Sequence, residues 1–400
     1  MHSPSADAAR LPYKRNLITL CALQSLSTTG AVVLATVNGL AGLAIAPHRS
    51  LATLPVASFI VGGALSTYFG SVLMARLGRR IGFQLGALIA MLGAGVCAYA
   101  VYAKLFWLLC VGSLMYGVYS AFSQYHRFAA AEAAPLELRS RAISWVLAGG
   151  IVGAVAGPES SKFTKDMMGA EFVGSYLSLV ALAAVALMLN FLLALPPVAQ
   201  PAKSAQPVGA LALLRRLDIG LAVVSAVFGY AVMVFLMTAT PLAMDEHHHV
   251  YADTAVVIEW HVLGMYAPSF VTGSLIKRFG VLKVILTGTS MMLLCAAVNF
   301  SGITFAHFWL ALVLLGVGWN FMFIGGTTLL TEACSDDEKT VAQGTNEILL
   351  HSSNAAASLT AGVFLHHVGR QAMNLIALPF LLVVIALSTA LVRSRRVQPS

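Results

Sequence analysis

Two methionines four residues apart, and a histidine and methionine at the same spacing, are the groups in this chain best suited to hold a ligand. Met233 and Met237 lie in LAVVSAVFGYAVMVFLMTATPL, and His261 and Met265 in TAVVIEWHVLGMYAPSFVTGSLI. A spacing of four puts each pair on one face of a helix. Thioether and imidazole are neutral, soft-to-borderline donors that suit Cu(I). They hold an ion without burying carboxylates, and they release it more readily than thiolates do. The polar stretch between the two segments, AMDEHHHVYAD, is short, so the segments are expected to run antiparallel as neighbours. Counted inward from Thr240 and Thr254, Met233 and His261 both lie seven residues deep, roughly 10 Å at 1.5 Å per residue. Met237 is then expected above them and Met265 below, a ladder of soft ligands. The plainer account is packing. With 15 Met and 11 His in 400 residues, one pair of each kind is what chance supplies, and methionine commonly fills apolar gaps. Against that account, a histidine inside an apolar run is costly and usually has a task.

Other groups could join such chemistry. Met244, His247, His248 and His249 cluster at the mouth of the two segments, beside Asp245 and Glu246. They read as a solvated polar loop or as an outer capture point for copper. Ionisable residues within apolar runs are few. Glu347 and His351 are four apart on one face and could pair or carry a proton. Glu159 and Glu259 stand singly, and His126 with Arg127 closes the fourth run. Such groups are either polar contacts between helices or proton-handling sites. The five cysteines show no C-x-x-C spacing and no disulfide framework. Cys97, Cys110 and Cys295 fall inside apolar runs and read as small hydrophobes, with an accessory thiol for Cu(I) as the alternative. No catalytic constellation and no ATP-binding glycine loop is present. The chain therefore reads as neither an enzyme nor a primary pump, and it calls for no resident cofactor.

The elements that must position these residues are membrane spans. The chain is 58% hydrophobic and 10% charged, with a mean hydropathy of +0.83. Apolar runs long enough to cross a bilayer recur from end to end. Twelve are expected, near 16–40, 50–74, 82–103, 105–128, 142–161, 172–195, 217–240, 254–276, 281–302, 305–332, 341–365 and 372–392. The first is too long for a signal-peptide core and reads as a retained span. Residues 197–216, rich in Pro, Ala and Gln, read as a cytoplasmic linker between two six-helix bundles, 1–196 and 217–400. This count places most of the 24 basic residues on one side. The positive-inside rule makes that side, and both termini, cytoplasmic. The net charge of +8 is spread over short loops, which points to the lipid bilayer as partner and not to nucleic acid. SVLMARLGRR (71–80) and GSLIKRFGVLK (273–283) match in small, apolar, basic and glycine positions. They sit at the same place in each half, as a duplicated six-span unit predicts.

SVLMARLGRR also resembles the loop signature of the major facilitator superfamily, with Ala75 where an acid is usual and Ser71 where glycine is. Arg76, Gly78, Arg79 and Arg80, with Lys277, Arg278 and Gly280 in the second copy, are then the gating-loop residues, and the missing acid puts the charge relay of that gate in doubt. Pro135–Arg139 resembles the second inner loop. Gly149, Gly153 and Gly157 followed by Pro158 resemble the fifth-span motif, although helix packing alone accounts for the glycines. The resemblance implies an all-α fold of twelve transmembrane helices in two pseudo-symmetric bundles, working by alternating access. GVGWNFMFIGGTTLLTE (316–332), QYHRFAAAE (124–132) and the Met/His pairs further resemble the CcoA-type copper-importer branch. The first two stretches are shared with broader relatives, so the Met/His pairs carry the substrate. That branch implies copper as the transported substrate at the bacterial inner membrane, supplied to cytochrome oxidase assembly, with a copper chaperone downstream. The alternatives are a small organic solute, such as a vitamin or siderophore-like molecule, and a membrane copper chaperone that binds without translocating.

Overall fold

The computed structural model describes residues 6–135, 138–195 and 209–397, and these are helical with no strand among them. Contacts divide the chain into two compact units, Met1–Gln200 and Pro201–Ser400. Most of the expected linker lies outside the described residues. Its described end, 209–216, carries the short helix α8 (Ala210–Leu214). The first unit holds α1 (Ala6–Ile45), α2 (Leu54–Leu77), α3 (Arg79–Tyr102), α4 (Phe106–Ser123), α5 (His126–Ala133), α6 (Arg139–Thr164) and α7 (Val173–Asn190). The second holds α9 (Leu217–Glu246), α10 (Tyr251–Tyr266), α11 (Ser269–Phe279), α12 (Val281–Ser301), α13 (Phe305–Ala333) and α14 (Asp336–Val397). Nine stretches among the described residues are long and apolar enough to cross a membrane. The last of these, Val341–Ser394, has 54 residues, room for two spans, and α14 breaks at Gly369 with φ 76°. With α6 and the broken pair α10/α11, this makes room for the twelve expected spans.

The two units are wired alike. In the first, α1 packs on α6, α4 on α2 and α3, and α3 on α7; in the second, α9 packs on α14, α13 on α10 and α12, and α12 on α14. The repeat is visible at single glycines. A Cβ at Gly117 on α4 would fall 2.0 Å from the Phe59 carbonyl oxygen of α2, and one at Gly316 on α13 would fall 2.4 Å from the His261 carbonyl oxygen of α10. Without a hydrophobic drive between helices in lipid, such close backbone approach supplies the packing energy. Gly149, Gly153 and Gly157 do the same against α1, meeting Cys21, Thr28 and Val32, so the packing account holds for that series.

The matched loops are matched in backbone too. Gly78 ends α2 and opens α3 at φ 88° and ψ 155°; Gly280 ends α11 and opens α12 at φ 89° and ψ 148°. Only glycine adopts that conformation without strain. A carboxylate from another helix meets this loop. Arg79 donates from Nε to Glu132 Oε2 at 2.8 Å and from Nη2 to Oε1, which ties the start of α3 to α5. Arg76, Arg80, Lys277 and Arg278 are exposed.

At the matching end of the second unit, Arg216 Nη1 donates to both oxygens of Glu338, at 3.1 and 3.2 Å, and Nη2 donates to the Ala333 carbonyl at 2.7 Å. The Ser335 backbone N–H donates to Glu338 at 3.0 Å. These contacts, the Ser335 N–H first, hold the Glu338 carboxyl below its ordinary range. A depressed folded value means the contribution is present above the unfolded pKa, about 4.3, and fades as pH falls through the folded one. Glu338→Gln should therefore melt slightly below the wild type at pH 7 and together with it near pH 3. A gap that persists at low pH would show that the carboxylate charge is not the cause.

Candidate functional site

The expected ladder does not form as drawn. α9 and α10 barely touch; α13 packs against both and separates them. The short connection fixes only that their outer ends are close. Along their lengths, the glycines of α13 draw each helix to it, Gly316 against His261 and Gly326 against the Ala222 carbonyl. Met233, His261 and Met265 are buried, at 2%, 0% and 8% exposure, and Met237 is half-buried. His261 Nδ1 lies 2.8 Å from the Leu312 carbonyl oxygen of α13. A carbonyl only accepts, so Nδ1 carries the proton and Nε2 the lone pair. Nε2 is buried without a hydrogen-bond partner among the described residues. A ring nitrogen held this way by a carbonyl on its other side is how metal-binding imidazoles are oriented.

The outer group is dispersed. Met244 is fully buried and His248 is exposed. His247 Nδ1 meets the Ala243 carbonyl and His249 Nε2 the Ile303 carbonyl, both at 2.8 Å. Both rings stand edge-on to Phe308. Among the described residues no three His, Cys, Asp or Glu side chains gather in metal-holding geometry. Glu159 pairs with Lys162 at the end of α6. Cys97 and Cys295 are fully buried. Glu347 and His351 do pair across one helical turn, with Nε2 3.7 Å from Oε2 and side chains 57% and 35% exposed.

That pair lies beside a feature the sequence reading missed. Trp319 and Phe323 of α13 stack at 5.1 Å and 10°, and Tyr230 of α9 lies on Trp319 at 5.1 Å and on Phe323 at 5.7 Å. Glu347 and Tyr266 are within electrostatic reach of the Tyr230 hydroxyl. An exposed carboxylate in a span does not face hydrocarbon; it faces a polar path. Glu347 and His351 therefore mark a polar face on α14, within electrostatic reach of the Tyr230 hydroxyl. Tyr230 and Phe323 are half-buried. The signal available in the sequence was Trp319-x-x-x-Phe323, two aromatic rings one helical turn apart within GVGWNFMFIGG.

Residues 219–400 match the family model of the Major Facilitator Superfamily, and residues 17–197 match that of the sugar (and other) transporters. The riboflavin transporter RfnT of Brucella anthropi is 38% identical over 95% of both chains. The MFS-type transporter YdeG of Bacillus subtilis is 31% identical, over 93% of this chain and 90% of its own. The chain belongs to the major facilitator superfamily. Solved structures of superfamily shape agree on the fold. The nucleoside transporter NupG superposes with a TM-score of 0.68 at 15% identity, covering 94% of this chain and 98% of its own. The POT family transporter PepTSo superposes with a TM-score of 0.72 at 13% identity, covering 96% of this chain and 99% of its own. None of these relatives is named as a copper importer, and the full-length similarity to a riboflavin transporter moves the weight to the organic-solute alternative.

Proposed function

We propose that this secondary transporter moves a small organic solute with a flat aromatic ring system, riboflavin or a close relative, across the bacterial inner membrane by alternating access. The observation that carries the reading is the Trp319–Phe323–Tyr230 cluster, with Glu347 within electrostatic reach of the Tyr230 hydroxyl. Aromatic side chains grip a planar heterocycle through offset stacking, and polar groups at the rim fix its orientation. The similarity to RfnT over the whole chain supports the same cargo class. In this reading the Glu347–His351 pair handles the coupling proton, and both termini lie in the cytoplasm.

A second reading, copper import, is favoured by one specific observation: His261 presents a buried, unpartnered Nε2 while Nδ1 is held by a carbonyl. There Met233, Met237, His261 and Met265 are the ligands, Met244 and His247 to His249 the outer capture group, and a copper chaperone receives the ion. A chaperone-like role, binding copper without moving it, is the variant of that reading.

One experiment separates them. Riboflavin uptake, by growth of a riboflavin auxotroph, and radioactive copper uptake are measured in the same cells with and without the protein. The expected result is protein-dependent flavin uptake that Met233→Leu, which nearly conserves volume, leaves unchanged. Copper uptake that depends on the protein and falls in Met233→Leu, with no flavin uptake, would reverse the assignment.

A further inference from the structure

The aromatic stack accounts for a flat ring, but a second set of groups in the same unit is left without a use. On α14, Asn346, Glu347, His351, Asn354 and Ser358 fall within about 140° of arc at 100° per residue, a polar face on a membrane helix. Asn354 Oδ1, Asn346 Oδ1 and Ser358 Oγ are buried with no hydrogen-bond partner among the described residues. So is Thr238 Oγ1 on α9, the helix on which α14 packs. On the ring side, Trp319 Nε1 is a buried donor in the same condition. Leaving such groups unpaired is expensive, and more so where no water is at hand. In the first unit Asn190 Oδ1 is likewise unpaired among the described residues, whereas Asn38 is satisfied. Asn38 in the first unit receives the Tyr176 hydroxyl at 2.7 Å and donates to Ser113 Oγ at 3.2 Å.

We infer that Asn354 and Ser358 form the subsite for a polyhydroxylated chain attached to the flat ring, while Trp319 donates from Nε1 to an acceptor on the ring. This rests on the flavin reading above and assigns its two ends to different residues. Asn354 and Ser358 are one turn apart and begin about 10 Å along the helix from Glu347. A row of hydroxyls suits this place because each can donate or accept. It therefore answers either orientation of the Asn354 amide as well as the Ser358 hydroxyl.

The test uses the purified full-length protein in lipid nanodiscs and the quenching of flavin fluorescence. The probes are riboflavin and lumiflavin, which keeps the ring and carries a methyl in place of the polyol chain. The wild type should bind riboflavin about tenfold more tightly than lumiflavin. Asn354→Leu should weaken riboflavin about five- to tenfold and leave lumiflavin unchanged, with Ser358→Ala acting the same way more mildly. Retained lumiflavin binding shows that each variant is folded, and Ser358→Ala serves if Asn354→Leu is not. Equal affinity of the wild type for the two probes, or equal loss of both in the variants, would overturn the subsite. A wild type that binds neither probe would instead overturn the flavin reading itself.

Discussion

Replacing Trp319 by leucine should lower flavin uptake by roughly five- to a hundredfold at normal protein abundance. The estimate follows from the geometry of the stack. Trp319 is buried, parallel to Phe323 and in contact with Tyr230. Losing one stacking surface against a planar heterocycle costs about 1–3 kcal/mol, and each 1.4 kcal/mol is about tenfold in affinity. Leucine keeps the site apolar, so the spans should still insert and pack. Trp319→Phe is the informative companion: it keeps a ring, loses the Nε1 donor, and should fall between leucine and the wild type. Copper accumulation should not change in either. Normal flavin uptake by Trp319→Leu would make the stack ordinary core packing, and the copper reading would then lead.

Gly117→Leu and Gly316→Leu should each abolish accumulation of folded protein. The contact that a side chain would meet is not another flexible side chain. It is a backbone carbonyl, of Phe59 on α2 in one case and of His261 on α10 in the other. Overpacking a core usually costs about 1–3 kcal/mol because neighbours can shift rotamers. Here the only relief is to push two helices apart along a seam that close approach holds together. Gly273→Ala is the matched control, since a Cβ there meets nothing within 4 Å. Size-exclusion profiles of detergent-solubilised protein read the outcome. A monodisperse Gly117→Leu peak at wild-type abundance would show that the α2–α4 seam has room for a side chain.

The fold was largely legible because a bilayer leaves few options. Helices must satisfy their own backbone, so hydropathy alone gave most span positions, and the offset between SVLMARLGRR and GSLIKRFGVLK gave the duplication. The structure then reproduced that duplication in the φ and ψ of Gly78 and Gly280. The site was less legible, for two physical reasons. Adjacency in sequence was taken for adjacency in space, yet α13 interposes between α9 and α10 because glycines on separate faces let both approach it. Met and His stand out by chemical type alone, whereas the meaning of Trp319 and Phe323 depends on Tyr230 arriving from another helix. In the same way Glu132 lies in QYHRFAAAE, but nothing local points it at Arg79, 53 residues away.

One amide in the second unit has a reach out of proportion to its size. The eighth span is broken between α10 and α11 at Ala267 and Pro268, where proline takes a donor from the helix ladder. Asn320 of α13 bridges the gap. Its Nδ2 donates to the Met265 carbonyl and to Ser269 Oγ, both at 2.7 Å, and its Oδ1 accepts from Thr272 Oγ1 at 2.7 Å. The two half-spans are therefore spliced by a neighbour's side chain where their own backbone is interrupted. Such a splice behaves as a mechanical fuse: while it holds, the eighth span moves as one rod, and when it lets go, the segment that ends in Gly280 can swing on its own.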